Sequence, residues 1–124
     1  MAMFGENTCK AWADASMSGT MSLRDSYNFS SVTDVSTGRI RFNFDVDAVA
    51  SKYAIATLSG NNSGTTTSGR TQNLDSSRAA ANFIIRNLNV NNTNTATDDS
   101  YMGVIVFMDT VSYTHLTLPT RDLV

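Results

Sequence analysis

The clearest pattern along the chain is an alternation of apolar and polar residues, which is typical of β-strands with one buried face. Arg39–Phe44 is the cleanest example, with Ile40, Phe42 and Phe44 at every second position. Because side chains alternate between the two faces of a strand, these three are predicted to lie together in the core. The intervening arginines are predicted to lie on the opposite face and to tolerate replacement.

Two short strands are predicted before this one. Residues 20–24 alternate polar and apolar side chains, and residues 28–34 form a second run that predicts a short strand. Residues 34–38 supply turn-forming side chains and a glycine, so the second run and Arg39–Phe44 are predicted to form a hairpin.

Two runs predict strands in the second half of the chain. Residues 52–58 place Tyr53, Ile55 and Thr57 on one side. Residues 101–108 are apolar at most positions, which predicts a central strand that is buried on both faces.

Residues 81–90 also predict a strand, but the apolar positions change phase along it. Phe83 and Ile85 share one face, whereas Leu88 falls on the other. Since a slip of one residue exchanges the two faces, we expect a β-bulge near residues 86–87.

Helical signals are short and ambiguous. Residues 45–52 have helix-compatible spacing but could equally form the turn that enters the next strand, and residues 75–80 could form one helical turn capped by Asp75. Short strands separated by turns favour antiparallel sheets over a parallel sheet, which needs helical crossovers. The sequence therefore predicts an all-β fold, an antiparallel β-sandwich of about seven to eight short strands in one domain.

Charge and hydropathy exclude several classes of partner. Nine basic and eleven acidic residues among 124 give a formal net charge of −2, and the basic residues are scattered singly, so we expect no nucleic-acid partner. The longest apolar run, residues 104–108, is far too short to span a bilayer, so we expect no membrane insertion. Cys9 is the only cysteine and is predicted to be a small, partly buried side chain without chemistry.

The sequence contains few side chains that could act as catalytic groups. The only histidine, His115, lies in a C-terminal run set apart below, which excludes a Ser-His-Asp or Cys-His arrangement. A glycosidase needs only two carboxylates, but most aspartates stand beside turn-forming residues and are interpreted as turn formers. The aspartates considered were Asp14, Asp25, Asp34, Asp45, Asp47, Asp98 and Asp99. We expect no enzymatic activity, no metal and no cofactor.

Aromatic side chains offer a different chemistry. Trp12, Tyr27, Tyr53 and Tyr101 could stack on sugar rings. Aromatic residues in strands are more often part of the core, so these four are predicted to be buried.

Two segments are too polar to contribute to a core. Residues 59–69 and residues 89–100 are rich in Gly, Ser, Thr and Asn, and they are predicted to be exposed loops that bind a receptor or, alternatively, serve as variable linkers. The candidate binding residues are Asn61, Asn62, Ser63, Thr65, Thr66, Thr67, Arg70, Asn91, Asn92, Asn94, Asp98 and Asp99.

The last residues of the chain differ abruptly in composition. Residues 111–120 hold the only His and the only Pro, and the run resembles a translated transposon-end adapter of the kind used for sequencing libraries. We therefore expect residues 111–124 to derive from adapter sequence read through into an environmental, metagenomic reading frame, and the natural protein to end near Asp109. The predicted organisation is an N-terminal lead over residues 1–9, a domain over residues 10–109 and a non-native tail over residues 110–124.

The order of short motifs between residues 10 and 109 resembles the C-terminal domain of tail fibre proteins of tailed bacteriophages. The matching pieces are Ala11-Trp12, Gly19-Thr20, Asn28-Phe29-Ser30-Ser31-Val32-Thr33-Asp34, Gly38, Arg41-Phe42-Asn43-Phe44, Tyr53-Ala54 and Val104-Ile105-Val106-Phe107. The turn over residues 35–38 and the stretch over residues 15–18 depart from the family pattern.

The resemblance implies a distal fibre domain that is part of the virion and is made in the host cytoplasm. It further implies a homotrimer that recognises a bacterial surface polysaccharide or another cell-surface receptor, and it carries over no catalytic residue. Met1 would then be an internal methionine of a longer fibre. A purely structural, fibre-capping domain is the alternative, and a carbohydrate-active enzyme ranks third.

Overall fold

The computed structural model describes residues 9–60, 69–76, 78–90 and 94–108, and within them the chain forms strands joined by turns, with no helix. The nine strands are β1 (Ala11–Ser16), β2 (Ser22–Tyr27), β3 (Phe29–Ser36), β4 (Arg39–Phe44), β5 (Ala54–Gly60), β6 (Arg70–Leu74), β7 (Asn82–Asn89), β8 (Thr95–Ala96) and β9 (Tyr101–Phe107). They pair in two antiparallel sheets, which confirms the predicted β-sandwich.

The two sheets draw on strands from both halves of the chain. One sheet has four strands in the order β2-β1-β9-β5, and the other has the order β3-β4-β7-β6 with β8 paired to β7. A single residue, Asn28, carries the chain from β2 in the first sheet to β3 in the second. Asn28 adopts a φ of 60°, and its side chain exchanges two hydrogen bonds with the backbone of Val46. This local pairing stabilises a left-handed conformation that asparagine tolerates better than most residues.

The core joins aromatic rings from one sheet to aliphatic side chains from the other. Phe42 and Phe83 stack with ring centroids 5.4 Å apart, and Phe29 and Phe44 stack at 5.1 Å. The facing strand β1 contributes only methyl groups, from Ala11, Ala13 and Ala15. Because the rings fill the space between the sheets, the inward positions of β1 accept nothing larger.

Several sequence predictions are confirmed by this packing. Ile40, Phe42 and Phe44 are buried on one face of β4, and β3 and β4 form the predicted hairpin around a two-residue turn that ends at Gly38. Tyr53 is buried, and Ile55 and Thr57 follow it on the same side of β5. Cys9 is a partly buried free thiol, as predicted.

The bulge predicted near residues 86–87 is wrong. Strand β7 pairs with β4 and β6 without a register shift through Arg86 and Asn87. The apolar pattern changes phase because the polar Asn87 occupies an inward position, in step with Phe83 and Ile85, while Leu88 is buried on the other face.

The expectation that the last strand is buried on both faces is also wrong. Strand β9 is central in its sheet, but Tyr101, Ile105 and Phe107 are exposed on the side away from the core. The inward side is filled by Met102, Val104 and Val106 alone. No described helix or strand packs over the outward side.

The sandwich has two ends, which we call the loop pole and the terminal pole. At the loop pole lie the β1–β2 turn, the β3–β4 turn, the ends of the segment between β5 and β6, and the chain between β7 and β9. At the terminal pole lie Cys9 and Met108, the first and last described residues, where the Lys10 backbone nitrogen donates to Val106 O at 3.0 Å. The described part of the chain therefore enters and leaves at one end and presents four of its connections at the other.

Candidate functional site

The two polar segments start and finish beside each other at the loop pole. Arg70, just after the first segment, pairs in register with Asn89, the first residue of the second, and the Val90 backbone nitrogen donates to Gly69 O at 3.2 Å. On the other sheet Gly60 pairs with Tyr101. The four stems of these segments are thus brought together by strand pairing.

A buried polar cluster lies directly beneath these stems. Asn87 and Asp99 are almost fully buried, and Nδ2 of Asn87 donates to Oδ2 of Asp99 at 2.8 Å and to Thr97 O at 3.0 Å. Oδ1 of Asn87 accepts from Ser59 Oγ at 2.7 Å and from Gln72 Nε2 at 3.0 Å. The amide of Asn87 therefore links three strands and the chain that leads into β9.

Asp99 forms an ion pair with Arg70, the first residue of β6. Arg70 donates Nε to Asp99 Oδ2 at 2.8 Å and Nη2 to Asp99 Oδ1 at 3.2 Å, a two-pronged contact in a site that solvent hardly reaches. Such geometry matches the planar fork of the guanidinium to both carboxylate oxygens. The ion pair lies at the base of the loop pole. Both of its members, Arg70 and Asp99, were predicted to contact a ligand.

The hairpin turn between β3 and β4 is attached to the same region. Gly38 N donates to Asp98 Oδ1 at 2.6 Å, and Asn87 N donates to Gly38 O at 2.7 Å. Gly38 has a φ of +76°, and a Cβ at this position would lie 2.8 Å from both Ala96 Cβ and Thr97 N. Only glycine fits this approach, because an added Cβ would meet backbone as well as a side chain.

The structure describes only some of the predicted binding residues. Arg70 and Asp99 belong to the buried cluster, Asp98 holds the hairpin turn, and Asn94 is exposed with a φ of 53°. The burial of Asp99 differs from the exposed loop expected for its segment. The remaining candidates lie outside the described residues, namely Asn61, Asn62, Ser63, Thr65, Thr66, Thr67, Asn91 and Asn92. A ligand-binding role for any of the twelve stays a prediction.

The prediction that the four aromatic residues lie in the core is wrong for three of them. Tyr53 is buried, but Trp12, Tyr27 and Tyr101 are exposed on the side of the four-stranded sheet that faces away from the core, which we call the outer face. Trp12 lies between Tyr27 on β2 and Ile105 on β9 as their direct strand partner. The alternation of β1 explains this placement, since its inward positions are alanines.

The hydroxyl of the buried Tyr53 faces backbone carbonyl oxygens, and its ring faces an arginine. Its hydroxyl donates to Ala79 O at 2.7 Å and lies 3.2 Å from Asn82 O, and the Arg78 guanidinium stands 5.6 Å above its ring. Burial raises the pKa of Tyr53 to about 12 from 10.0, against smaller lowering effects of Arg78 and of the hydrogen bond to Ala79. The tyrosine therefore remains a neutral donor over the physiological range.

Of the aspartates considered for catalysis and metal binding, Asp14 and Asp25 are direct strand partners on the outer face. Asp14 forms an ion pair with Arg24 at 2.9 Å, and Asp99 forms one with Arg70 at 2.8 Å. Within residues 9–60, 69–76, 78–90 and 94–108, no three His, Cys, Asp or Glu side chains are grouped as metal ligands. Over the same residues the structure has no helix long and apolar enough to cross a membrane.

Comparisons of the chain with protein-family models, curated proteins and solved structures find no match. The two surfaces that offer groups for binding are the loop pole and the outer face.

Proposed function

We propose that this chain is the distal domain of a tailed-phage tail fibre and that its loop pole contributes to recognition of glycans on the bacterial surface. The observation that carries the proposal is the separation of the two poles. The described chain begins and ends at the terminal pole, whereas both polar segments leave and re-enter at the loop pole. A domain joined to a fibre shaft through its N-terminus would present the loop pole outward.

The chemistry of the polar segments suits a neutral, hydroxyl-rich ligand. Residues 61–68 consist only of Asn, Ser, Gly and Thr, and residues 91–93 are Asn-Asn-Thr. Amide and hydroxyl groups both donate and accept hydrogen bonds, as the hydroxyls of a polysaccharide require. Recognition groups are commonly carried on connections that a rigid scaffold positions.

The buried cluster below the stems supports this role for the loop pole. Asn87, Asp99 and Arg70 fix the ends of both segments through buried hydrogen bonds. Ordering the stems in advance lowers the entropy that a bound ligand must otherwise offset. A homotrimer is part of the proposal, since three copies on one tip would raise attachment through effective concentration while each contact stays weak.

A purely structural, fibre-capping role is the second candidate, and one observation favours it. Val46 and Val49 are exposed in the connection between β4 and β5, which lies at the terminal pole. Exposed apolar side chains at this place would suit packing against a preceding part of a fibre. Enzymatic activity is not proposed.

Segment replacement distinguishes the two roles. We would replace residues 61–68 and 91–93, separately, by short Gly-Ser connections that leave Ser59, Arg70 and Asp99 in place. Circular dichroism would report folding, and binding of the purified domain to a panel of bacterial strains would report recognition. A matched control carries Val46→Ser and Val49→Ser at the other pole.

The proposal predicts that both replacement variants stay folded and that at least one loses cell binding, while the control variant binds as the original chain does. Folded replacement variants with unchanged binding would contradict recognition by the loop pole.

A further inference from the structure

We propose that the outer face of the four-stranded sheet carries a shallow groove over Gly103 that binds a neutral sugar chain. This site is separate from the polar segments, and it adds a second ligand-binding surface to the proposed function without depending on the loop pole. The inference comes from three features of the outer face, namely an open floor, aromatic walls and a polar row.

The floor of the groove is the backbone at Gly103. Gly103 points outward between the buried Met102 and Val104, and its strand partners are Asp14 on β1 and Leu58 on β5. A Cβ at Gly103 would meet no atom closer than 3.8 Å, the distance to Leu58 O. The space directly above the Gly103 backbone is therefore open, between the exposed side chain of Leu58 on one side and that of Asp14 on the other.

The walls of the groove are apolar side chains in the rows on either side of Gly103. Ile105 continues the row that runs through Trp12 and Tyr27, and Tyr101 stands on the opposite side of the glycine. All four are exposed, and at ~3.3 Å per residue the Cα atoms of Tyr101 and Ile105 are about 13 Å apart. The faces of aromatic rings carry negative potential, which attracts the C–H groups on the flat side of a sugar ring. Since the Arg24 guanidinium lies over the Tyr101 ring, we assign this contact to the rings of Trp12 and Tyr27.

Polar side chains lie beside Gly103 on the outer face, because its strand partner Asp14 is in turn paired with Asp25. A register shift between β1 and β2 leaves Arg24 without a strand partner, and its guanidinium lies 4.5 Å above the Tyr101 ring while donating to Asp14 Oδ1 at 2.9 Å. Asp25 is the strand partner of Asp14. Among the described residues, Oδ2 of Asp14 and Oδ2 of Asp25 accept no hydrogen bond from a side chain or a loop, so both can accept bonds from ligand hydroxyls.

The charges of this row indicate which occupant fits. Two adjacent carboxylates against one guanidinium disfavour an anionic ligand. They also disfavour a dry contact with a second copy of the chain, because the centres of such interfaces are depleted of charge and a buried carboxylate must be paired. A neutral sugar satisfies both parts of the surface, since its C–H face contacts the rings and its hydroxyls donate to Asp14 and Asp25.

Affinity electrophoresis of the full chain through gels containing a polysaccharide tests the proposal. The probes are dextran, mannan and galactan as neutral polymers and alginate as an anionic one. We expect retardation by at least one neutral polymer and none by alginate. Gly103→Val should weaken the retardation at least tenfold, because the new side chain fills the groove, while the open space and the strand conformation let the variant fold.

Two further variants make the result specific. Ala54→Val adds the same kind of bulk to the outer face at the level of Phe107, outside the groove, and should bind like the original chain. Asp25→Asn keeps the shape of an exposed side chain and should weaken binding severalfold by exchanging a charged acceptor for a neutral amide. Circular dichroism of each variant checks the fold.

Three results would overturn the proposal. They are absence of retardation by all three neutral polymers, unchanged binding by a folded Gly103→Val, and loss of a larger oligomer in Gly103→Val by light scattering, which would identify the outer face as a contact between copies. The variants in which residues 61–68 or residues 91–93 are replaced are measured in the same affinity gels. Because the groove is built from other residues, their behaviour separates failure at the loop pole from failure at the groove.

Discussion

Nδ2 of Asn87 donates a 2.8 Å hydrogen bond to Oδ2 of Asp99, and both side chains are almost completely excluded from solvent. This contact joins the middle of the second sheet to the chain that enters β9. It places at the base of the loop pole a carboxylate that the sequence pattern assigns to an exposed loop. Buried polar groups of this kind stabilise a fold only when every partner is present.

The first prediction concerns this amide. Asn87→Ala removes one hydrogen bond from each of Asp99 Oδ2, Thr97 O, Ser59 Oγ and Gln72 Nε2, and it should lower the free energy of unfolding by about 3 kcal/mol. Asn43→Ala is the matched control, since the Asn43 amide also donates two 3.0 Å bonds, but near the surface. Chemical denaturation should give the control a loss below about 1 kcal/mol. Equal losses would contradict a larger contribution of the buried amide to the free energy of unfolding.

The second prediction concerns the centre of the core. Phe42 is fully buried and contacts the rings of Phe29 and Phe83, so Phe42→Ala should cost about 3–5 kcal/mol. Arg41→Ala on the opposite face of the same strand should change stability by less than about 0.5 kcal/mol. A small effect at Phe42 in thermal or chemical unfolding would contradict the register of β4.

The third prediction compares the two glycines that have a positive φ among the described residues, Gly19 and Gly38. Gly38→Ala should cost about 2–4 kcal/mol, because strain of about 1–2 kcal/mol is added to a Cβ placed 2.8 Å from Ala96 and Thr97. At Gly19, with a φ of +68°, a Cβ meets nothing within 4 Å, so Gly19→Ala should show the strain alone. Unfolding midpoints of the two variants measure the difference, and a Gly38 variant as stable as the Gly19 variant would contradict the close approach.

The fourth prediction concerns alkaline pH. Because the pKa of Tyr53 is raised in the folded state, to about 12, its contribution to stability is complete below pH 10 and is lost as pH rises from 10 toward 12. Each pKa unit of difference corresponds to about 1.4 kcal/mol. Tyr53→Phe lacks the ionisable group, so its stability should decline less steeply across this window. Parallel pH profiles for the two proteins in chemical denaturation would contradict the raised pKa.

Sequence periodicity was sufficient for the fold class and for the β3–β4 hairpin. Strict alternation over Arg39–Phe44 needs no tertiary information, because a strand with one buried face imposes it. Strand β1 was missed, since its inward residues are alanines and its large residue, Trp12, points outward. The size of the rings on the opposite sheet decides that arrangement, and it is a property of packing across the sandwich.

The candidate surfaces were less accessible to sequence reasoning. The polar composition of residues 59–69 and 89–100 identified both segments, but nothing local shows that Asp99 turns inward to meet Arg70 and Asn87. These partners are distant in sequence, and strand pairing alone brings them together. The aromatic residues of the outer face were predicted to be core because each was considered by itself, whereas the row formed by Tyr27, Trp12 and Ile105 depends on the strand order β2-β1-β9-β5.

The most direct test of the central claim is binding of the purified domain to whole bacterial cells, before and after the cells are treated with periodate to oxidise surface sugars. A receptor-binding fibre domain predicts saturable binding to some strains of a diverse panel and loss of that binding after periodate. Binding that survives periodate would contradict a glycan receptor, and a folded domain that binds no strain would contradict host recognition and leave the structural role.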